Sequence, residues 1–113
     1  MLTRTRLAVI GIVAAFTAPA VLAAQPDPNA GKAEAALCNA CHGADGMSVS
    51  TDVPNLAGQH YQYLVNELKA YKEGTRKNPI MNEIMRPMSL EQLQNIAAYF
   101  SSVQLTVGKG KTP

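Results

Sequence analysis

Residues 38–46 read Cys38-Asn39-Ala40-Cys41-His42-Gly43-Ala44-Asp45-Gly46. The Cys-x-x-Cys-His core of this stretch is the pattern of covalent haem attachment. Two residues between the cysteines let one short turn reach both vinyl-derived carbons on one edge of a porphyrin. The histidine that follows is carried beneath the iron, where a ring nitrogen can ligate. Three other uses of paired cysteines compete. A disulfide is open to the only two cysteines of a chain in an oxidising compartment. A thioredoxin-like redox pair needs a βαβ context, which the sequence lacks. A zinc site needs a second ligand pair, and His60 alone, 18 residues on, does not match finger spacing. The motif therefore predicts one covalent haem c, held through Cys38 and Cys41, with His42 on the iron.

Upstream of the motif, Asp27-Pro28 is a helix start, with Asp as N-cap and Pro at the first helical position. The Ala-rich run that follows predicts a helix over about 28–37. Gly31 inside it is read as a point where another helix comes close. Downstream, residues 43–58 are rich in Gly, Ser, Asp, Asn and Pro and read as loop. A second helix is predicted over about 59–73, with Leu64, Leu68 and Tyr71 at helical spacing and Gly74 at its end. Residues 75–87 read as another loop. The last helix is predicted over about 89–103. Ser89 and Gln92 form a capping box there, and Leu90, Leu93, Ile96, Ala97 and Phe100 form the apolar stripe. No strand pattern or repeat is visible, so the fold class is all-α.

At 113 residues the chain has room for one domain. Its first part reads as a secretory signal peptide. Arg4 and Arg6 precede an uncharged apolar run from Leu7 to Ala18, and Pro19 to Ala24 supplies a small-residue cleavage region. Cleavage is expected after Ala23 or Ala24, giving a leader over 1–24, a domain over 25–105 and a flexible tail over 106–113. A retained membrane anchor is the alternative, but the charge-free stretch is short for a span. The full chain carries ten Lys and Arg against eight Asp and Glu; without Arg4 and Arg6 the balance is eight to eight. Net charge therefore gives no support to nucleic-acid binding. Aromatic residues are few, with no Trp, and so small a domain struggles to bury enough apolar surface. A large apolar cofactor would supply the missing core.

What sits opposite His42 on the iron separates electron transfer from ligand chemistry. His60 opens the second helix and reads as a surface residue. Methionine is the better candidate, because a thioether raises the potential of haem iron. Met81, Met85 and Met88 all follow the second helix, and position alone does not choose among them. Any of them can equally be core filling. Arg76, Lys77 and Arg86 in the same segment form either a basic rim for acidic partners or ordinary surface charge.

The chain resembles the small class I bacterial c-type cytochromes, of the single-haem c-553 and c-5 kind and the halves of di-haem cytochrome c-4. The resemblance runs from about Gly31 to Val103. It is carried by Gly31-Lys32-Ala33, Cys38 to Gly46, Pro54-Asn55-Leu56-Ala57-Gly58-Gln59, Tyr63-Leu64, Leu68, Tyr71-Lys72-x-Gly74-x-Arg76, Met81 and Ile96-Ala97-Ala98-Tyr99-Phe100. It implies the cytochrome c fold, three main helices around one haem. It also implies a distal methionine about eight residues before the last helix start, which points to Met81 with Met85 as rival. The carbonyl of Pro54 would accept from the other nitrogen of His42. Gly31 and Tyr99 would mark the crossing of first and last helices, and Arg76 and Tyr63 would contact haem propionates. Met88 departs from the pattern, standing where leucine is usual.

The function implied is that of an electron carrier, not an enzyme: a monomer in the periplasm, without nucleic-acid partner or membrane span once mature. It would pass single electrons between a donor dehydrogenase or quinol-oxidising complex and a terminal acceptor. The alternatives are a dedicated cytochrome subunit of one periplasmic oxidoreductase and a ligand-binding haem sensor.

Overall fold

The computed structural model describes residues 11, 12, 14–16, 18 and 23–106. The expected leader over 1–24 lies largely outside the described residues, as does the expected tail beyond Thr106. Among them five helices follow in order: α1 Pro28–Glu34, α2 Ala36–His42, α3 Tyr61–Glu73, α4 Pro79–Met85 and α5 Leu90–Ser102. A 3-10 turn, Ala44–Gly46, comes after α2. No strand is present among the described residues.

The helix expected over 28–37 is longer than its sequence signals and bent. It breaks at Ala35, which is fully buried, and continues as α2 through the whole haem motif. Its start is built as anticipated, with the Asp27 carboxylate accepting from the Asn29 N–H at 2.8 Å and Pro28 following. α3 begins two residues later than expected, after the exposed His60. α5 has the full capping box: the Gln92 N–H donates to Ser89 Oγ at 3.1 Å, and the Ser89 N–H donates to Gln92 Oε1 at 2.9 Å.

The segment expected as loop over 75–87 contains α4, and this corrects the sequence reading. Asn78 is its N-cap, accepting from the Ile80 and Met81 N–H groups at 3.1 and 3.0 Å, and Pro79 takes the first turn. Asn82 then bolts α4 to the end of α3, its amide donating to the carbonyls of Tyr71 at 2.7 Å and Arg76 at 2.8 Å.

α5 is the spine. Leu93, Ile96, Ala97 and Phe100 are all at most 1% exposed, and with Leu64, Val65, Leu68 and Met85 they make the core. α1 crosses α5 at Gly31. A methyl added there would lie 1.9 Å from the carbonyl oxygen of Asn95, so only glycine permits the approach. The Asp27 N–H donates to Asn95 Oδ1 at 2.9 Å and so satisfies that buried amide oxygen across the same crossing. The close backbone approach falls on Asn95 and Ile96, one turn before Tyr99.

Candidate haem site

Because Cys38, Cys41 and His42 are helical, their spacing of three and four places them on neighbouring turns of α2. All three border a cavity of about 370 Å³. Cys38 is buried and Cys41 exposed, and the two are not joined to each other. Burial pushes the Cys38 thiol pKa up, because the low-dielectric surroundings penalise the thiolate.

His42 is buried, and its Nδ1–H donates to the carbonyl oxygen of Pro54 at 2.8 Å. A carbonyl can only accept, so Nδ1 carries a proton, and in the neutral ring Nε2 is then the nitrogen with the free lone pair. A partner of this kind fixes the ring's orientation and strengthens the imidazole as a ligand.

The rest of the cavity wall is mostly apolar. α3 contributes Leu64 and Leu68, α5 contributes Ile96 and Phe100, and α4 contributes Ile80, Met81, Ile84 and Met85. Of the three candidate methionines, Met81 and Met85 border the cavity. Met88 is buried in the core cluster and is not part of the wall. Met85 is 1% exposed, its side chain enclosed by packing, whereas Met81 is half-buried at the cavity surface. His60 is exposed and does not border the cavity.

Arg76 and Tyr63 both reach the wall. The Arg76 guanidinium pairs with Glu67 and lies 4.7 Å from the centroid of the Tyr71 ring. Arg86 pairs with Glu83 at 2.8 Å. Two of the three cations considered as a basic rim thus carry their own counter-charges, which weakens any steering field from them. Asn78 and Asn82, which hold the methionine-bearing helix, were not singled out from the sequence. The Asn78-Pro79 pair repeats the signal read correctly at Asp27-Pro28.

The donor set and the cavity suit a covalently held haem: two thiols and an imidazole on one helix, an apolar slot, and thioethers across it. Among the described residues no cluster of His, Cys, Asp and Glu could hold a bare metal ion instead. A family model for cytochrome c matches residues 29–104. The chain belongs to the cytochrome c family. Members of that family carry haem c covalently, and the fold is the all-α cytochrome c fold. The thiosulfate dehydrogenase electron acceptor of Stutzerimonas stutzeri is 48% identical over 69 residues, covering 58% of this chain and 32% of that protein. Cytochrome c-554(548) of Halomonas halodenitrificans is 40% identical over 79 residues, covering 67% of this chain and 95% of that one. Among solved structures, reduced cytochrome c4 from Pseudomonas stutzeri superposes with a TM-score of 0.68 at 41% identity, covering 73% of this chain and 48% of that chain. The chain spans less than half the length of the curated cytochrome c4 relatives it matches, 41% and 43% in two of them. No helix among the described residues is long and apolar enough to cross a membrane.

Proposed function

We propose that the protein is a periplasmic single-electron carrier with one haem c, bound as thioethers to Cys38 and Cys41, with His42 as proximal and Met81 as distal iron ligand. The observation that carries this reading is the wall of the 370 Å³ cavity, which has the Cys-x-x-Cys-His residues on α2 and Met81 on α4. The bound haem would supply a one-electron iron couple inside a conjugated ring.

The chain's own residues do the tuning. Pro54 holds the proton of His42 on Nδ1, so the ligating nitrogen is fixed without rearrangement. Asn78 and Asn82 fix the first turns of α4 and with them the backbone of Met81. Leu64, Leu68, Ile96 and Phe100 exclude water from the slot, which favours the less charged, reduced form. His42 and Met81 would both be committed to holding the iron, so the chain would offer no side-chain-free place there for a substrate. The exposed apolar residues at the cavity edge, Leu37, Tyr63 and Ile80, suit brief contact with redox partners.

Met81 is favoured over Met85 because its side chain still has free surface at the cavity, while Met85 is already packed. The test is Met81→Ala in the loaded protein. Loss of the far-red iron–sulfur charge-transfer band of the oxidised form is expected, with a pyridine haemochrome spectrum that still reports one covalent haem. A band that survives in Met81→Ala and vanishes in Met85→Leu would transfer the role to Met85.

A second reading is that of a dedicated electron-accepting subunit for one periplasmic oxidoreductase. The relative named a thiosulfate dehydrogenase electron acceptor favours it. Co-purification of a dehydrogenase with the native protein separates the two.

A further inference from the structure

We infer that Tyr99 and Asp45 form a latch by which α5 positions the proximal ligand His42. Asp45 lies in the 3-10 turn three residues beyond His42 and is the only non-glycine with positive φ among the described residues, at 53°. A left-handed conformation is uncommon for a residue with a side chain and persists where the surroundings hold it. Here the holding group is the Tyr99 hydroxyl, which donates to Asp45 Oδ1 across 54 residues of sequence. Tyr99 is itself buried and lies beside Phe100, with ring centroids 5.1 Å apart and the planes tilted by 45°.

The turn that Asp45 shapes is hydrogen-bonded to the residues just after Pro54. The carbonyl of Gly46, the next residue, accepts from the N–H groups of Leu56 at 2.9 Å and Ala57 at 3.2 Å. Those residues follow Pro54, whose oxygen accepts from His42 Nδ1. Gly46 also abuts the Phe100 ring so closely that an added methyl would lie 2.8 Å from it, and the Gly58 N–H donates to the Phe100 carbonyl at 2.8 Å. The Pro54 segment is therefore stitched to α5 at both ends. Tyr99, through Asp45, locks the end that follows directly on the α2 helix carrying His42. Neither residue borders the cavity, so both are positioning residues.

This inference takes His42 as the iron ligand. If that were wrong, the His42 ring protons of the oxidised wild-type protein would lack the large paramagnetic shifts of an iron-bound imidazole. Failure of the latch would leave those shifts in place.

The test measures hydrogen exchange by NMR in the loaded, reduced full-length protein, comparing Tyr99→Phe, Asp45→Ala and Asp45→Asn. In Tyr99→Phe and Asp45→Ala, the His42 Nδ1–H and the Leu56 and Ala57 amides should exchange about tenfold faster, as expected for losing one hydrogen bond to a carboxylate. The Ala35 amide, which bonds within the α1–α2 segment, should keep its rate. Asp45→Asn keeps an oxygen acceptor for Tyr99 and tolerates positive φ, so it should restore slow exchange. Midpoint potentials should shift in Tyr99→Phe and return in Asp45→Asn. An unchanged His42 proton lifetime in Tyr99→Phe would overturn the latch. So would equal acceleration at Ala35 and His42, which would reduce the pair to general stability.

Discussion

The Nδ1–H of His42 donates to the backbone carbonyl of Pro54 at 2.8 Å, so the residue type at position 54 is not what supplies the acceptor. What proline adds is a fixed φ and a restriction on Val53, which together hold the carbonyl in place before any cofactor binds. Pro54→Ala keeps the oxygen and frees the backbone. The expected result is a folded, haem-loaded protein whose stability falls by about 0.4–1 kcal/mol, the usual gain from a compatible proline. His42 ligation should be intact in its spectrum. Loss of low-spin haem in Pro54→Ala would mean that the ring geometry, rather than the carbonyl, carries the support.

Gly31 is predicted to tolerate no side chain. In an exposed helix, Gly→Ala gains about 1 kcal/mol of helix propensity. Here the added methyl would meet backbone atoms of Asn95 at 1.9 and 2.4 Å, and backbone cannot rotate aside. Overpacking of this kind costs about 1–3 kcal/mol or more, so α1 must lift from α5 and the balance is negative. Urea unfolding of Gly31→Ala should show a lower midpoint with an unchanged slope. A variant as stable as wild type would show that the crossing is looser than these distances.

The caps of α1 and α5 were legible because Asp27-Pro28 and Ser89-x-x-Gln92 are local hydrogen-bonding patterns that need no tertiary context. The motif Cys38 to His42 was legible as chemistry but not as helix, since the Ala-rich run that signals helix stops at Leu37. Packing of Ala35 and Cys38 against the core carries the helix on. α4 was missed because Pro79, Pro87 and three cations within twelve residues read as loop, and its seven residues are too few to display a periodic stripe. What stabilises it is tertiary: Asn82 bonded to the carbonyls of Tyr71 in α3 and Arg76 just beyond it, and Met85 buried in the core cluster. The Tyr99–Asp45 contact spans 54 residues, and no local pattern announces it.

The cap of α4 should be felt at the iron. Asn78 Oδ1 accepts from the N–H of Met81 itself, at 3.0 Å. Asn78→Ala removes that acceptor and should destabilise the helix start by about 1 kcal/mol. In the oxidised loaded protein, the far-red iron–sulfur band should then be lost at lower urea concentration. That loss should precede the change in far-UV circular dichroism, because α1, α2 and α5 do not depend on this cap. Coincident transitions, shifted together, would show that α4 has no local opening of its own.

The phenol of Tyr99 gives the protein a built-in alkaline limit. Its hydrogen bond to Asp45, reinforced by burial and by the carboxylate charge, pushes its pKa up from 10.0 to about 12. The folded state therefore favours the neutral phenol more than the unfolded chain does. That contribution is complete below pH 10.0 and is lost as the pH rises through about 12. Wild-type protein should lose stability across this interval, whereas Tyr99→Phe, weaker at neutral pH, should not show that component of the loss. Urea midpoints measured on both proteins below pH 10 and near pH 12 make the comparison, with tyrosine 13Cζ shifts to identify the late-titrating ring. Parallel decline of the two proteins would mean that the pair contributes nothing that titrates, and that the alkaline limit lies elsewhere in the fold.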